Sequence, residues 1–209
     1  MSTSVRRTGA ARQRLLDAAL ALFTERGVNG TSLQMIADAL GVTKAAVYHQ
    51  FPSKDEIVLA VIAPAVDQLR ALVAAADAAP TPAAGREIVL EGMTGLVVAH
   101  RRLAAVLLVD RTVAYLLRDV ALGELEARID RHLAGADPTP EVRVAVAMVG
   151  ASIMNIGIDQ RLQDLDDETL RENILLGAHR LLGIRSTRRS RPVPPASRGV
   201  SPASGTAHR

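Results

Sequence analysis

The segment from Thr31 to Ile57 constrains the fold more than any other, because it holds two short helices with almost nothing between them. Apolar residues recur at helical spacing in its first part and predict a helix over about 32–40: Leu33, Ile36, Ala37 and Leu40. Gly41 supplies the positive φ that commonly ends a helix, and Thr43 is a suitable N-cap for the next one. Two short helices joined by a tight turn are typical of a helix-turn-helix, whose second helix enters the DNA major groove.

Local capping signals mark where these helices begin. Thr31 precedes the first with Gln34 three residues on, so we expect their side chains to cap each other's free backbone N–H groups. Ser53 and Glu56 form a second such pair and start a third helix. In the helix after Thr43 we expect two residues to face inward, Ala46 and Val47. We expect five to face outward: Thr43, Lys44, Ala45, Tyr48 and His49.

These residues carry a family resemblance. The segment GVTKAAVYHQFPSKDEI (41–57) resembles the end of the DNA-binding domain of TetR-type transcriptional regulators, with its Gly-Val-Ser/Thr turn, aromatic residues and Ser-Lys-Asp/Glu-Glu run. Upstream, ARQRLLDAALALFTERGVNGTSLQMIADALGV (11–42) is similar to the first two helices of that domain. The resemblance covers about the first 60 residues. The chain departs from the family pattern at His49, where a second aromatic ring is usual, and at Gln50, where a His is usual.

The expected DNA contacts divide into phosphate and base contacts. We expect Thr31, Ser32 and the backbone N–H groups that follow them to meet phosphate, as helix N-termini do. The candidates for the groove face are Thr43, Lys44, Ala45 and His49, and Lys44 could donate to guanine. The resemblance implies phosphate contacts for Tyr48 and Lys54. Phe51 is expected in the core.

Charge is distributed unevenly along the chain, although its net value is only +3. Residues 1–51 hold 6 basic and 3 acidic side chains, residues 52–183 hold 13 and 19, and residues 184–209 hold 6 arginines and no acid. The positive first part coincides with the predicted helix-turn-helix, as phosphate binding requires. The last part is rich in Pro, Ser, Gly and Arg, which predicts a disordered tail. That tail is either inert or adds nonspecific DNA affinity.

The remaining pattern predicts an all-α fold, because no segment alternates as a strand would. Further helices are expected over these approximate ranges: 10–26, 54–79 with Pro64 inside, 87–99, 104–118, 121–133, 141–160 and 167–182. The expected organisation is a flexible arm (1–9), a DNA-binding domain (10–53), a larger helical domain (54–183) and a tail (184–209).

The last two helices are long and apolar, and helix 141–160 is rich in small residues. Such helices suit a four-helix bundle between two subunits, or they close the core of a single subunit. The resemblance implies a homodimer that pairs through about 141–160 and 167–182. Two-fold protein symmetry would then match a palindromic operator in double-stranded DNA.

The resemblance also implies a pocket for a small-molecule effector among the helices of the larger domain. Such a pocket would be mostly aliphatic with few polar groups. The candidate ligand-binding residues, chosen by position, are Met93, Leu96, His100, Leu107, Tyr115, Met148, Ser152 and Asn155.

The function that these features predict is a ligand-responsive dimeric regulator of transcription, usually a repressor in the family. An architectural or activating DNA-binding protein without a small-molecule switch remains the alternative. An enzyme is not expected, because no Gly-rich phosphate loop, nucleophile motif or metal-ligand spacing occurs, and no cofactor or metal is expected either.

The chain has no cysteine and no signal-peptide core, and its most apolar run (144–158) is too short to span a bilayer. We therefore expect a cytoplasmic protein without membrane contact.

Overall fold

The computed structural model of this protein describes residues 2–101, 103, 113, 116 and 122–184, and all regular structure within them is helical. The prediction of an all-α fold is confirmed. The helices in the described part are α1 (Ser2–Arg26), α2 (Leu33–Leu40), α3 (Lys44–Gln50), α4 (Lys54–Asp77), α5 (Pro82–Ala99), α6 (Leu122–Ala134), α7 (Pro140–Ile156) and α8 (Asp167–Leu181), with a 3₁₀ turn at Gln160–Leu162.

The first of two hydrophobic cores joins α1, α2, α3 and the first half of α4. Its fully buried side chains are the apolar positions that recur at helical spacing, including Phe23, Ile36, Val47 and Ile57. Phe51 is 3% exposed, which confirms its predicted place in the core. Leu103 and Val113 of the larger domain also belong to this core, so the helix-turn-helix shares part of its burial with that domain.

The second core joins the rest of α4 to α5, α6, α7 and α8. Helix α5 runs through its centre and packs against α4, α6, α7 and α8. Gly92 makes the crossing of α4 and α5 close, because a Cβ atom there would lie 2.2 Å from Cδ1 of Leu72. An added Cβ at this position would therefore displace the end of the Leu72 side chain.

Helix α4 belongs to both cores, since Ile57, Val58, Ile62 and Val66 pack in the first and Val73 and Ala76 in the second. The expected domain boundary at residue 54 assigned all of α4 to the larger domain. The structure places no linker there, because the Ser53 cap starts a helix whose apolar residues continue directly into the first core. Pro64 lies inside this helix without dividing it. By length and composition alone, α4 also resembles a membrane-spanning helix.

Two helices begin earlier than predicted. Helix α1 begins at Ser2, so the expected flexible arm 1–9 is helical from residue 2 onward. Helix α5 begins at Pro82, inside the expected Pro/Ala loop, because Thr81 caps it and proline is well suited to the first helical position. The expected helix 104–118 lies outside the described residues apart from residues 113 and 116, which are helical, and the expected tail lies outside them beyond Ile184.

Candidate DNA-binding surface

The turn between α2 and α3 has the geometry that the sequence predicts. Gly41 adopts φ 65°, and its N–H and that of Val42 donate to the carbonyls of Asp38 (3.1 Å) and Ala37 (3.0 Å). Thr43 is the N-cap of α3, with its Oγ1 accepting from the N–H of Ala46 at 3.2 Å. Because only Val42 and Thr43 separate the glycine from α3, the chain must reverse sharply and present α3 on the surface.

The start of α2 differs from the prediction at Thr31. Ser32 is the N-cap, and its Oγ accepts from the N–H of Met35 at 3.2 Å. The Thr31 side chain is only 2% exposed, and its hydroxyl donates to the carbonyl of Gly27 at 2.8 Å. Gln34 does not take part in a capping pair with it, since its amide donates to Asp38 at 2.7 Å. The expected phosphate contact of Thr31 is therefore corrected: its hydroxyl holds the preceding loop, and Ser32 is the exposed residue.

Lys54 also takes a structural position. Its Nζ donates to the carbonyl of Val28 at 2.7 Å and to that of Thr31 at 3.2 Å, so the first residue of α4 holds the loop between α1 and α2. The bend of that loop depends on Gly30, where a Cβ atom would lie 2.2 Å from the carbonyl oxygen of Arg26. The phosphate contact expected of Lys54 stays a prediction that would use the third N–H of its ammonium, since two are bound to these carbonyls.

The outward face of α3 contains the five side chains that the sequence assigned to it, and all five are exposed: Thr43, Lys44, Ala45, Tyr48 and His49. Val47 faces the core and is fully buried. Ala46, expected to face inward, is exposed. It borders a cavity of about 120 Å³ between α1, α2 and α3, so no neighbour covers it.

One cation–π contact joins α1 to the end of α3. The Arg12 guanidinium lies 4.7 Å from the centroid of the Phe51 ring. Gln50 lines the cavity together with Arg14, and its Oε1 is buried without a hydrogen-bond partner in the described part of the chain. The Arg12–Phe51 contact therefore links the two helices at the edge of the surface that α3 presents.

In the larger domain, Met93, Leu96 and His100 lie at positions i, i+3 and i+7 of one face of α5 and its C-cap, and all three are half-buried. His100 Nε2 lies 3.2 Å from Oε1 of Gln68 on α4. Thr94, which the sequence analysis did not single out, is fully buried, and its hydroxyl has no hydrogen-bond partner among the described residues. A threonine within an apolar helix was the only signal that pointed to it.

Three of the candidate ligand-binding residues lie on α7 and point away from the domain core. Met148 is 50% exposed, and Ser152 and Asn155 are also exposed. Their expected place in an internal pocket is corrected, because the buried face of α7 is formed by Val146, Val149 and Ile153. Two further candidates, Leu107 and Tyr115, lie outside the described residues.

The exposed face of α7 is a continuous stripe at helical spacing that we call the α7 stripe: Val144, Ala147, Met148, Ala151, Ser152 and Asn155. It carries no charge along about three helical turns, and Val144 is 59% exposed. Helix α8 has an inner face in the core, whereas Leu181 on its outer face is 46% exposed. Both helices therefore close the core of the subunit and also retain apolar surface outside it.

The all-helical fold and the exposed helix behind a tight turn define the class of helix-turn-helix DNA-binding proteins. The family model for bacterial regulatory proteins of the tetR family matches residues 15–61, which are α1 from its middle, α2, α3 and the start of α4. In this segment the chain is therefore similar to the DNA-binding domain of TetR-family regulators.

Named relatives match the same region. The chain is 50% identical over 46 residues to the HTH-type transcriptional regulator AcrR of Shigella flexneri, which is 22% of this chain and 21% of AcrR. It is 41% identical over 58 residues to the HTH-type transcriptional repressor KstR2 of Rhodococcus jostii, 28% of each chain. The match thus spans only about a quarter of these relatives. They are named as regulators, which supports the prediction that this protein is not an enzyme.

Similarity of fold extends over most of the chain. SCO3833, a TetR-family regulator from Streptomyces coelicolor A3, superposes with a TM-score of 0.65 at 25% identity, over 82% of this chain and 91% of that one. AmtR from Mycobacterium smegmatis gives a TM-score of 0.63, also at 25% identity, over 84% and 87%. The larger helical domain therefore has the fold of known regulators, although its sequence has diverged further than that of the DNA-binding domain.

Proposed function

We propose that this protein is a dimeric, sequence-specific DNA-binding repressor of transcription that a small apolar or amphipathic ligand releases from a palindromic operator. The observation that carries the proposal is the exposed outward face of α3, held behind the Gly41 turn within the segment that matches the family model. An exposed recognition helix held on a packed core is what reading a major groove requires.

The DNA contacts that we propose follow from exposure. Thr43, Lys44, Ala45 and His49 face the base edges, and Ser32 and Tyr48 contact phosphate from either side of the groove. Ala45 offers a methyl group that suits the methyl of thymine, and Lys44 offers a donor that suits guanine. Thr31 is not part of this surface, because a hydrogen bond within the loop occupies it, and Lys54 has only its third N–H left for phosphate.

The dimer is proposed through the α7 stripe and the outer face of α8. A second copy would cover Val144, Met148 and Leu181, which are large apolar side chains left exposed in one subunit. Ala147 and Ala151 allow the axes of facing helices to approach closely, as in four-helix bundles. Two-fold pairing would present two copies of α3 to successive major grooves.

The ligand site is proposed next to the α5 face that carries Met93, Leu96 and His100. Its aliphatic side chains suit an apolar molecule, and the unpaired hydroxyl of Thr94 is the nearest buried polar group on the same helix. One protein of the same fold, FadR from Bacillus subtilis (TM-score 0.59, 18% identity), has been crystallised in complex with stearoyl-CoA. An amphipathic molecule with a long apolar part is the class that we propose here too.

Helix α4 is the element through which ligand and DNA would be linked, because it packs in both cores. A ligand releases DNA only if it binds better to the state in which the two α3 helices no longer match their grooves. We propose that this state differs in the position of α4 relative to α5. As a regulator acting on chromosomal DNA, the protein is proposed to be cytoplasmic.

The test is a gel-shift titration of the purified protein against the intergenic DNA upstream of its own gene, at several salt concentrations and with excess unrelated DNA. We expect a retarded complex that is sensitive to salt and survives the competitor. Substituting Lys44 by Met should weaken it, whereas the same substitution at Arg70, an exposed cation on α4 paired with Asp67, should not. Equal affinity for unrelated DNA would contradict the proposal and favour an architectural protein.

A further inference from the structure

Two of the exposed residues on α3 contact each other. The Nζ of Lys44 lies 5.7 Å from the centroid of the Tyr48 ring, within the range in which an ammonium is attracted to an aromatic face. Positions i and i+4 of a helix share one side, so the contact runs along the outward face of α3. Tyr48 is 46% exposed, so its ring can contact Lys44 and DNA at the same time.

Lys44 is flexible unless something holds it, because a lysine ammonium sits on a four-carbon stem with many rotamers. Within the described residues it makes no ion pair with a carboxylate, and the other lysine of the chain is bound to carbonyls. The Tyr48 ring is the only contact that the structure gives its charged end in the described part of the chain. Stacking on that ring restricts the ammonium to one side of the recognition helix.

We propose that Tyr48 is a positioning residue for Lys44, and that the pair acts as one unit that selects guanine at a single operator position. This inference rests on the proposed DNA-binding function and deepens it. An ammonium held at a defined place can donate to O6 and N7 of one guanine, whereas a freely rotating one is equally satisfied by any nearby phosphate. Tyr48 thus contributes to specificity without itself contacting a base.

The experiment compares motifs selected from random-sequence DNA by the full-length wild-type protein and by four variants: Lys44→Met, Tyr48→Leu, Tyr48→Phe and Arg70→Met. We expect Lys44→Met and Tyr48→Leu to lose preference at the same guanine. Tyr48→Phe keeps the ring and should keep that preference, although loss of the hydroxyl lowers affinity for all sites alike. Arg70→Met removes an exposed cation of α4 outside the DNA-binding surface and should keep it too.

Affinities for the selected operator then complete a double-mutant cycle. We expect the double variant Lys44→Met/Tyr48→Leu to lose operator affinity by a factor about 3-fold smaller than the product of the two single losses. This corresponds to a coupling free energy of about 0.7 kcal/mol, at 1.4 kcal/mol per tenfold. Independent effects, or a Tyr48→Leu variant that still prefers the guanine, would overturn the inference while leaving DNA binding intact. If the wild-type protein selects no motif at all, both the proposed function and this inference fail.

Discussion

The two lysines of the chain lie ten residues apart and carry the same charge in different surroundings. Lys44 is exposed on α3, and its ammonium touches only an aromatic ring within the described residues. Lys54 is half-buried and donates to two backbone carbonyls of the loop between α1 and α2. At the scale of residues, therefore, two properties of a lysine distinguish a DNA contact from a structural contact. One is the exposure of its side chain, and the other is how many of its N–H groups already donate to the protein.

Substituting Lys54 by Met tests that distinction. The variant keeps most of the apolar stem but removes the Nζ donor that the carbonyls of Val28 and Thr31 share, while Val28 still accepts from the N–H of Thr31 at 3.3 Å. We expect the free energy of unfolding to fall by about 1–3 kcal/mol. The salt dependence of DNA binding should stay as in the wild type, since loss of a phosphate contact would lower its slope by about one unit. Chemical denaturation and salt titrations measure the two effects, and a reduced slope for Lys54→Met would establish it as a phosphate contact.

Gly30 gives a second prediction at this scale. Its missing side chain faces the carbonyl oxygen of Arg26, which is backbone and cannot rotate away. We expect Gly30→Ala to destabilise the protein by about 2 kcal/mol or more through displacement of the loop. Gly95→Ala is the matched control, because nothing lies within 4 Å of its added Cβ and alanine favours a helix by about 0.5–1 kcal/mol. Thermal unfolding distinguishes them, and equal effects would argue against a tight loop.

At the scale of elements, charged side chains connect the ends of the helices in the larger domain. Asp77 at the end of α4 accepts from Arg128 on α6, and His132 Nε2 of the same helix lies 2.6 Å from its Oδ1. Glu87 on α5 meets His179 on α8 at 2.9 Å, and Arg101 pairs with Asp167 at the start of α8. These contacts therefore tie α6 to α4 and α8 to α5 at the border of the second core.

Asp77 leads to a prediction about pH. The hydrogen bond from Arg128, followed by that from His132, lowers the pKa of Asp77 below 3.8. A depressed pKa in the folded state means that the unfolded chain takes up the proton more readily. The contribution of Asp77 to stability is therefore present above pH 3.8 and is lost as pH falls through its folded pKa.

Unfolding titrations of the wild type and of Asp77→Asn measure this contribution. We expect the wild type to be the more stable at about pH 6, and the difference to shrink toward about pH 3. Asp137→Asn removes an exposed carboxylate for which the described residues provide no ion pair, and it should leave the pH profile unchanged. A constant difference between wild type and Asp77→Asn across the range would contradict the assignment.

At the scale of the whole molecule, one subunit leaves apolar side chains of α7 and α8 exposed. The α7 stripe carries no charge and is exposed along its full length. Such a surface is rare on a monomer and typical of an interface. Pairing would also give the two-fold symmetry that a helix-turn-helix protein needs to read two half-sites.

Placing a charge in the stripe tests the assembly. We expect Ala151→Glu to convert a dimer into a monomer and to weaken operator binding at least tenfold, because a buried carboxylate without a partner is costly and a single half-site binds weakly. Ala75→Glu makes the same change at an exposed alanine of α4 and should leave both properties unchanged. Sedimentation and gel shift report the two properties. A monomeric wild type, or a dimeric Ala151→Glu variant, would rule out this interface.

The sequence by itself determined the local structure of this protein. The caps at Thr43 and Ser53, the positive φ at Gly41 and the apolar spacing of α2 follow from interactions among residues at most four positions apart, and the structure confirms them. The same short range explains why the first 60 residues carry the family resemblance in their sequence alone. Exposure of the α3 face also followed, because a seven-residue helix has few ways to bury Val47 and Phe51 together.

Only the tertiary structure decided the roles that depend on distant partners. Lys54 meets a carbonyl 26 residues away. Thr31 is a local exception, because its hydroxyl donates to Gly27 only four residues earlier and Ser32 caps α2 in its place. Met148, Ser152 and Asn155 have the right chemistry for a pocket, but the packing of α7 turns them outward. Periodicity shows that a helix has two faces. Which face the subunit buries depends on the helices packed against it, and these come from elsewhere in the chain.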